Sequence, residues 1–261
     1  IYGYARLVGF DEKLDLVPDI LESFEVEEGR IFTLTLRPGH RWSDGHPFTA
    51  EDFRYSWEDV ETNEDLSRAG PSQVMLVDGE APEFEVIDQH TVRYTWSKPN
   101  PQFLPSLAGG SPNYIAVPAH YLKQFHQKYT DKAELDAKVA EAGVRDWVAL
   151  HTIRARAYRP ENPDLPSLEP WVNTTPPPAE RFIFKRNPYY HRVDQSGRQL
   201  PYIDEIFMGI SSADIIPAKT GSGDSDLQAR YLRFDNYTFL KQASQSHGYE
   251  VKLWRDGDGS Q

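Results

Sequence analysis

The sequence predicts an α/β fold of mixed α+β character. In this predicted fold, a small antiparallel sheet is backed by a helix. Residues 24–36 and 84–96 each contain two short alternating segments around turn residues, which is typical of β-hairpins. Between them, residues 49–60 have the capping residues and apolar spacing of an amphipathic helix. The chain has 261 residues, of which 39% are hydrophobic, and is therefore large enough to bury a core.

The first hairpin follows a segment that we interpret as helical. Residues 16–24 read LVPDILESF and predict a proline-led helical turn, after which a strand begins at residues 24–27. Glu28 and Gly29 separate this strand from residues 31–36, where apolar and threonine side chains alternate. The alternation predicts a second strand with one buried face.

A turn-rich stretch, LRPGHRWSDGHPFTAEDFRYSWEDV, occupies residues 36–60. Asp44 and Gly45 predict a tight turn. Thr49 and Asp52 have the spacing of a capping box, in which each side chain accepts a backbone N–H, and they predict a helix over residues 50–61. We interpret these four residues as turn and cap formers, and not as ligand contacts.

The rest of the chain alternates between short elements and irregular segments. Residues 62–76 are polar and broken by Gly and Pro, which predicts a loop, and residues 187–190 (NPYY) predict a structural turn. Seven prolines between Pro160 and Pro178 argue against regular structure and predict a surface connection over residues 158–178. In chain order, the other predicted elements are strands at 84–87 and 91–96, helices starting at Pro118 and covering 131–142 and 145–151, strands at 181–185 and 203–210, a loop at 221–225, a helix at 236–246 and a strand at 249–254.

Composition excludes several classes of function. A net charge of -12 and a pI near 5.1 argue against nucleic acid as a partner, because its phosphates would be repelled. The chain has no cysteine, which excludes disulfides, thiolate nucleophiles and Cys-based metal sites. Its 8 histidines show no metal-ligand spacing. We expect no metal and no cofactor.

Five stretches in one order resemble a known family. The stretch LRPGHRWSDGHPFTAEDF is similar to the hallmark of the family 5 extracellular solute-binding proteins, the oligopeptide- and dipeptide-binding receptors of bacterial ABC importers. FEVIDQHTVRYTW with KPNP, RFIFKRNPYYHRVDQSGRQLPYIDEI, SGDSDLQARYL and GYEVKLW resemble later segments of the same family, with Asp224 where Glu is more usual. The ordered combination is more specific than any one motif.

The resemblance implies a lobe of the periplasmic binding protein type II-like fold. It assigns residues 1–144 to an accessory subdomain of lobe I, made of the small sheet and helices. Residues 145–261 would form part of the lobe I core, with the proline-rich connection inside it. We expect the second lobe, the opening strand of the first and any signal peptide to be absent from this chain, as in a processed protein or an excised fragment.

The implied function is that of a substrate-binding receptor. Such a receptor holds a peptide between two lobes and delivers it to the ABC permease at the membrane, without catalysing a reaction. It would be monomeric and periplasmic, or lie on the outer face of the cytoplasmic membrane if lipid-anchored. By position in the family, Ser67, Arg68 and Gly70 are candidate ligand contacts, and Gly259 and Ser260 lie towards the hinge.

Other functions stay open at this point. Within the family, the ligand could instead be a nickel chelate, an opine or an oligosaccharide. A hydrolase acting through two of the 40 acidic residues is a different class, which would require two carboxylates to converge. A regulatory interaction domain is a further alternative, which an exposed apolar patch would support.

Overall fold

The structure is a computed structural model that describes residues 5–109, 113–157 and 159–253. It separates into two compact units, Ile1–Phe207 and Met208–Gln261. The strands are β1 (Val8–Phe10), β2 (Leu16–Pro18), β3 (Leu21–Glu27), β4 (Ile31–Leu36), β5 (Glu83–Asp88), β6 (Thr91–Thr95), β7 (Trp171–Asn173), β8 (Arg181–Arg186) and β9 (Glu205–Gly209). The helices are α1 (Ala50–Arg54), α2 (Phe103–Ala108), α3 (Ala119–Leu122), α4 (Lys132–Glu141), α5 (Trp147–Arg154), α6 (Ile216–Gly221) and α7 (Tyr237–His247).

The predicted antiparallel sheet is confirmed, with strand order β3-β4-β6-β5. Its first hairpin turns at Glu28 and Gly29, whose φ angles are 52° and 66°. Two successive positive φ angles define the turn type whose twist matches that of paired strands. In β4, Phe32, Leu34 and Leu36 are buried and alternate with half-buried residues, as the sequence predicts.

The buried face of this sheet carries an aromatic cluster. Phe32 meets Trp96 edge to face at 5.6 Å between ring centroids, and Phe103 of α2 lies 5.1 Å from Phe32 and 4.8 Å from Trp96. Tyr94 of β6 is fully buried beside them. Each large ring buried here stabilises the fold by about 1.5–3 kcal/mol. The predicted helix packs on the same core, because Phe53 of α1 is fully buried in it.

The predicted helix at residues 50–61 exists, but its second half is wider than an α-helix. After α1 the chain continues as a π-helical segment, Tyr55–Glu61. Its closing bond runs from the Thr62 N–H to the Trp57 carbonyl at 3.0 Å, a five-residue separation. Trp57 and Asp59 are both buried within this segment.

The prediction of a helical turn at residues 16–24 is wrong. This stretch contains β2 and the start of β3 instead, with β2 antiparallel to β1 and β3 antiparallel to β4. Both strand partners lie elsewhere in the sequence. Tertiary pairing therefore overrides the local pattern.

Two further predictions need correction. The proline-rich connection contains β7, because Pro170 and Pro176 leave a proline-free interval that pairs with β8. No strand forms over the described part of 249–254, which ends at Leu253.

Helices α2 and α6 were not predicted from the sequence, since a proline lies within each. The subdomain division at residues 144 and 145 stays a prediction.

The other predicted helices are confirmed with small shifts of their ends. Asp131 caps α4 by accepting the Ala133 N–H at 2.9 Å, and Asp146 caps α5 by accepting the Ala149 N–H at 2.7 Å. Such caps contribute about 1 kcal/mol each. In the second unit, Phe239 of α7 packs so closely on Gly221 that an added Cβ would lie 2.4 Å from its ring.

Candidate functional site

The capping box at the start of α1 is confirmed and has a second role. The Thr49 N–H donates to Asp52 Oδ2 at 2.9 Å, and the Glu51 N–H donates to Thr49 Oγ1 at 3.3 Å. The other oxygen of Asp52 accepts the buried Ala119 N–H at 3.0 Å, which joins α1 to α3. Burial raises the pKa of Asp52. The hydrogen bonds from the N–H groups of Thr49 and Ala119 lower it, but burial has the larger effect. Both residues therefore have structural partners, as the sequence predicts.

The turn at Asp44 and Gly45 contacts the NPYY turn. Asp44 Oδ1 accepts the His46 N–H at 3.0 Å, and Gly45 has φ +88°. A Cβ on Gly45 would lie 2.9 Å from the Tyr189 hydroxyl oxygen. Asn187 is buried and holds the Tyr189 N–H at 2.9 Å. Two stretches that resemble the family therefore pack together, about 145 residues apart in sequence.

A half-buried ionic cluster lies next to this pair of turns. Asp19 Oδ1 is 2.7 Å from His191 Nε2 and 3.2 Å from Arg192 Nε. Burial alone would raise the pKa of Asp19, but the hydrogen bonds from His191 and Arg192 outweigh it and hold the pKa below its usual value. The His40 ring lies 5.3 Å from that of His191, and burial with this neighbour lowers the pKa of His40 to about 4. Glu169 is half-buried, and this partial burial raises its pKa to about 7.

The π-helical segment holds a further buried carboxylate, that of Asp59. Asp59 accepts Lys128 Nζ at 2.6 Å, the Tyr129 hydroxyl at 2.5 Å and Arg54 Nη1 at 2.9 Å. Burial would raise the pKa of Asp59, and these three donors lower it below the usual value. The carboxylate is therefore fully paired and serves to join α1 to the segment before α4.

The loop that the resemblance implies as a ligand contact follows directly. Asn63 Oδ1 accepts the N–H groups of Asp65 and Leu66 at 2.9 and 3.1 Å, an arrangement typical of turn-forming asparagines. The Ser67 N–H donates to the Asn63 carbonyl at 2.8 Å. The loop is therefore anchored at its start by its own backbone.

Three of the predicted site residues lie together in this loop. The Gly70 N–H donates to the Ser67 carbonyl at 2.9 Å, and Gly70 has φ +78°. Arg68 lies between them; it is exposed and forms no ion pair with a described residue. A guanidinium in this position is accessible from solvent. Gly259 and Ser260, the other two predicted residues, lie outside the described residues.

Sequence reasoning missed the polar features around this loop. Ser72 follows it and donates its N–H to Glu61 Oε2 at 3.2 Å. Both residues line a cavity of about 10 Å³ with Tyr94 and Asn113. The alternation of β6 marks Tyr94 only as a core residue, and no local pattern indicates that these four residues converge.

The described residues form neither a metal-binding cluster nor a membrane-spanning helix. Within residues 5–109, 113–157 and 159–253, no group of three or more His, Asp or Glu side chains could hold a metal ion. No helix in the described part of the chain has the length and hydropathy needed to cross a membrane.

Comparison with known proteins identifies a family. Residues 15–251 match the model of the bacterial extracellular solute-binding proteins, family 5 Middle. A periplasmic α-galactoside-binding protein of Rhizobium meliloti is 31% identical over 217 residues, which are 82% of this chain and 28% of that protein. The periplasmic oligopeptide-binding protein OppA of Escherichia coli is 31% identical over 148 residues, 52% of this chain and 27% of that protein.

Solved structures show the same fold. An oligopeptide-binding protein OppA superimposes with a TM-score of 0.82 and 35% identity, over 95% of this chain and 39% of that one. The periplasmic binding protein MelB of Agrobacterium fabrum, solved with stachyose, gives a TM-score of 0.68 and 25% identity, over 92% of this chain and 34% of that one. The chain therefore spans between about a quarter and two fifths of the length of these relatives.

Proposed function

The chain belongs to the bacterial extracellular solute-binding proteins, family 5, and from this premise we propose that the protein is the substrate-binding receptor of an ABC importer and that its ligand is a peptide. One observation supports the peptide most directly. The oligopeptide-binding protein with a TM-score of 0.82 and 35% identity matches 95% of the chain.

An α-galactoside oligosaccharide is the second candidate ligand. The α-galactoside-binding relative matches 82% of this chain at 31% identity, and the stachyose-bound MelB matches 92% at 25%. Peptides and oligosaccharides both present many hydrogen-bonding groups, so a wet, polar site accommodates either class. The two candidates are therefore distinguished by experiment, as described below.

The proposed contact site is the loop with Ser67, Arg68 and Gly70. The guanidinium of Arg68 has five N–H donors and no described acidic partner, so it can bind a ligand carboxylate or sugar hydroxyls. Gly70 in the left-handed region brings backbone close to the loop surface. Gly259 and Ser260 remain proposed on the hinge side.

The wider biology follows from the receptor role. The protein acts in the periplasm, or on the outer face of the membrane if lipid-anchored, as a monomer that meets the permease subunits. It catalyses no reaction, since capture needs only a higher affinity of the ligand for the closed form than for the open form. This chain supplies one wall of the ligand site.

The first experiment identifies what the protein carries. The protein is purified without refolding, and its bound small molecules are identified by native and then denaturing mass spectrometry. Peptides of mixed sequence and narrow length would support the peptide assignment. A galactose-containing oligosaccharide would replace it with the second candidate, and a metal chelate would refute both while leaving the receptor role intact.

The second experiment tests the loop. Arg68→Ala is compared with Arg156→Ala, which removes another exposed arginine that forms no ion pair with a described residue. Calorimetric titration with the released ligand should show binding at least about tenfold weaker for Arg68→Ala, the loss of one charge-assisted contact. Unchanged affinity for Arg68→Ala, or equal losses in the two variants, would refute the assignment of this loop.

A further inference from the structure

The cavity beside the candidate loop is lined by residues from four separate segments. Glu61 ends the π-helical segment, Ser72 follows the loop, Tyr94 comes from β6, and Asn113 precedes α3. Trp57, Met75 and Ile115 add apolar walls. The cavity volume of about 10 Å³ is enough for a single water molecule, which needs roughly 10–15 Å³ of free space.

Three of the residues that line this cavity each have a buried side-chain polar atom without a protein partner. The hydroxyls of Ser72 and Tyr94 and the side-chain Nδ2 of Asn113 have no hydrogen-bond partner among the described residues. Tyr94 is completely inaccessible to solvent. Buried polar groups of folded proteins are almost always hydrogen-bonded to protein or to ordered water. Three such groups around one cavity therefore indicate a shared partner.

The chemistry of the lining suits a neutral molecule that both donates and accepts. Asn113 Nδ2 is a donor only, and the two hydroxyls can act in either sense. Burial and the nearby Glu61 raise the pKa of Tyr94, so this hydroxyl stays protonated and can donate. Water can accept two of these bonds and donate a third, which satisfies the set.

We propose that one ordered water molecule occupies this cavity and bridges the Tyr94 hydroxyl, the Ser72 hydroxyl and the Asn113 side-chain amide. The bridge joins the end of the candidate loop to the sheet. Ser72 lies two residues after Gly70, and its N–H is already held by Glu61 at 3.2 Å. The water is thus a positioning element for the loop, and its presence does not depend on the proposed ligand.

A crystal structure of the protein at a resolution that shows ordered solvent is the direct test. We expect one water peak within about 2.7–3.2 Å of all three polar atoms. A cavity without density, or one filled by a protein atom, would overturn the proposal.

A double-mutant cycle tests the bridge in solution. Tyr94→Phe and Ser72→Ala are made singly and together, and unfolding is followed in urea. Because the two hydroxyls do not hydrogen-bond to each other, a shared hydrogen-bond partner would couple their effects on stability. We expect a coupling of at least about twofold in the unfolding equilibrium constant, the lower end for groups in one hydrogen-bond network. Additive effects would contradict the shared water.

The sign of the single change gives an independent check. If water pairs with Tyr94, Tyr94→Phe removes a satisfied group and raises the unfolded fraction. If nothing pairs with it, the same change removes an unsatisfied buried hydroxyl and lowers the unfolded fraction. Ser43→Ala is the matched control for the cycle, because Ser43 does not line the cavity and its hydroxyl accepts the Ser167 N–H at 2.9 Å. Its combination with Tyr94→Phe should be additive.

Discussion

Replacement of Gly45 by alanine tests whether the two packed turns depend on each other. Gly45 has φ +88°, a conformation that costs an L-residue about 1–2 kcal/mol. The new Cβ would also lie 2.9 Å from the Tyr189 hydroxyl oxygen and 3.1 Å from its Cζ, inside normal contact distance. The buried Asn187 holds the Tyr189 backbone, so the tyrosine ring must move. The side chain of Tyr189 is 42% exposed, so its displacement costs about 1 kcal/mol, at the low end of the range for overpacking a core.

Gly39 provides a matched control in the same stretch. Its φ is +85°, and a Cβ there would meet nothing within 4 Å. Gly39→Ala should therefore lower the free energy of unfolding by about 1–2 kcal/mol, from backbone strain alone. Gly45→Ala should lower it by about 2–3 kcal/mol, with strain and the displaced ring together. Urea unfolding at constant pH measures both variants.

The same two glycine substitutions in a Tyr189→Ala background test the contact with the ring directly. Without the ring, the excess effect of Gly45→Ala over Gly39→Ala should disappear, because only the strain that both share remains. Equal effects of the two variants in the unaltered protein would refute the contact with Tyr189. An excess that persists without the ring would place its cause elsewhere in the turn.

Two other predictions concern buried titratable groups. Burial lowers the pKa of both His40 and His151 to about 4, so the unfolded chain binds protons first on acidification. Each histidine should therefore lower the free energy of unfolding by roughly 3 kcal/mol between pH 6.5 and pH 4, whereas Glu169, whose pKa is raised to about 7, changes it in the opposite direction. Urea titrations that show no net fall would refute the prediction. Asp52→Ala should lower the free energy of unfolding by about 2–4 kcal/mol, because it leaves the N–H groups of Thr49 and Ala119 without an acceptor. Asp52→Asn keeps one acceptor and should lose less, and equal losses in urea unfolding would contradict this account.

Local sequence predicted the sheet and its helix well. In β4, alternation alone identified Phe32, Leu34 and Leu36 as the buried face, and the spacing of Thr49 and Asp52 identified the helix cap. Both patterns depend on neighbours within a few residues. The resemblance to family 5 is confirmed as well, because the family model matches residues 15–251.

The candidate site was predicted less completely. The sequence, through the resemblance, placed Ser67, Arg68 and Gly70 in one loop, and the structure shows that loop anchored on Asn63. It did not indicate the cavity beside the loop, since Tyr94 has the same pattern as any core residue of a strand. Whether the hydroxyl of a core tyrosine such as Tyr94 lies near other polar groups depends on how segments far apart in the sequence pack together.

The sequence by itself determined the elements whose causes are local: the turns with glycine at positive φ, the capped helices and the alternating strands of the first sheet. Only the tertiary structure decided that residues 16–24 form strands, because their partners β1 and β4 lie outside that segment. It alone brought Asp19 to His191 across 172 residues, and Tyr94 to Ser72 around one cavity. Such contacts depend on loop closure and burial, which have no local signal in the chain.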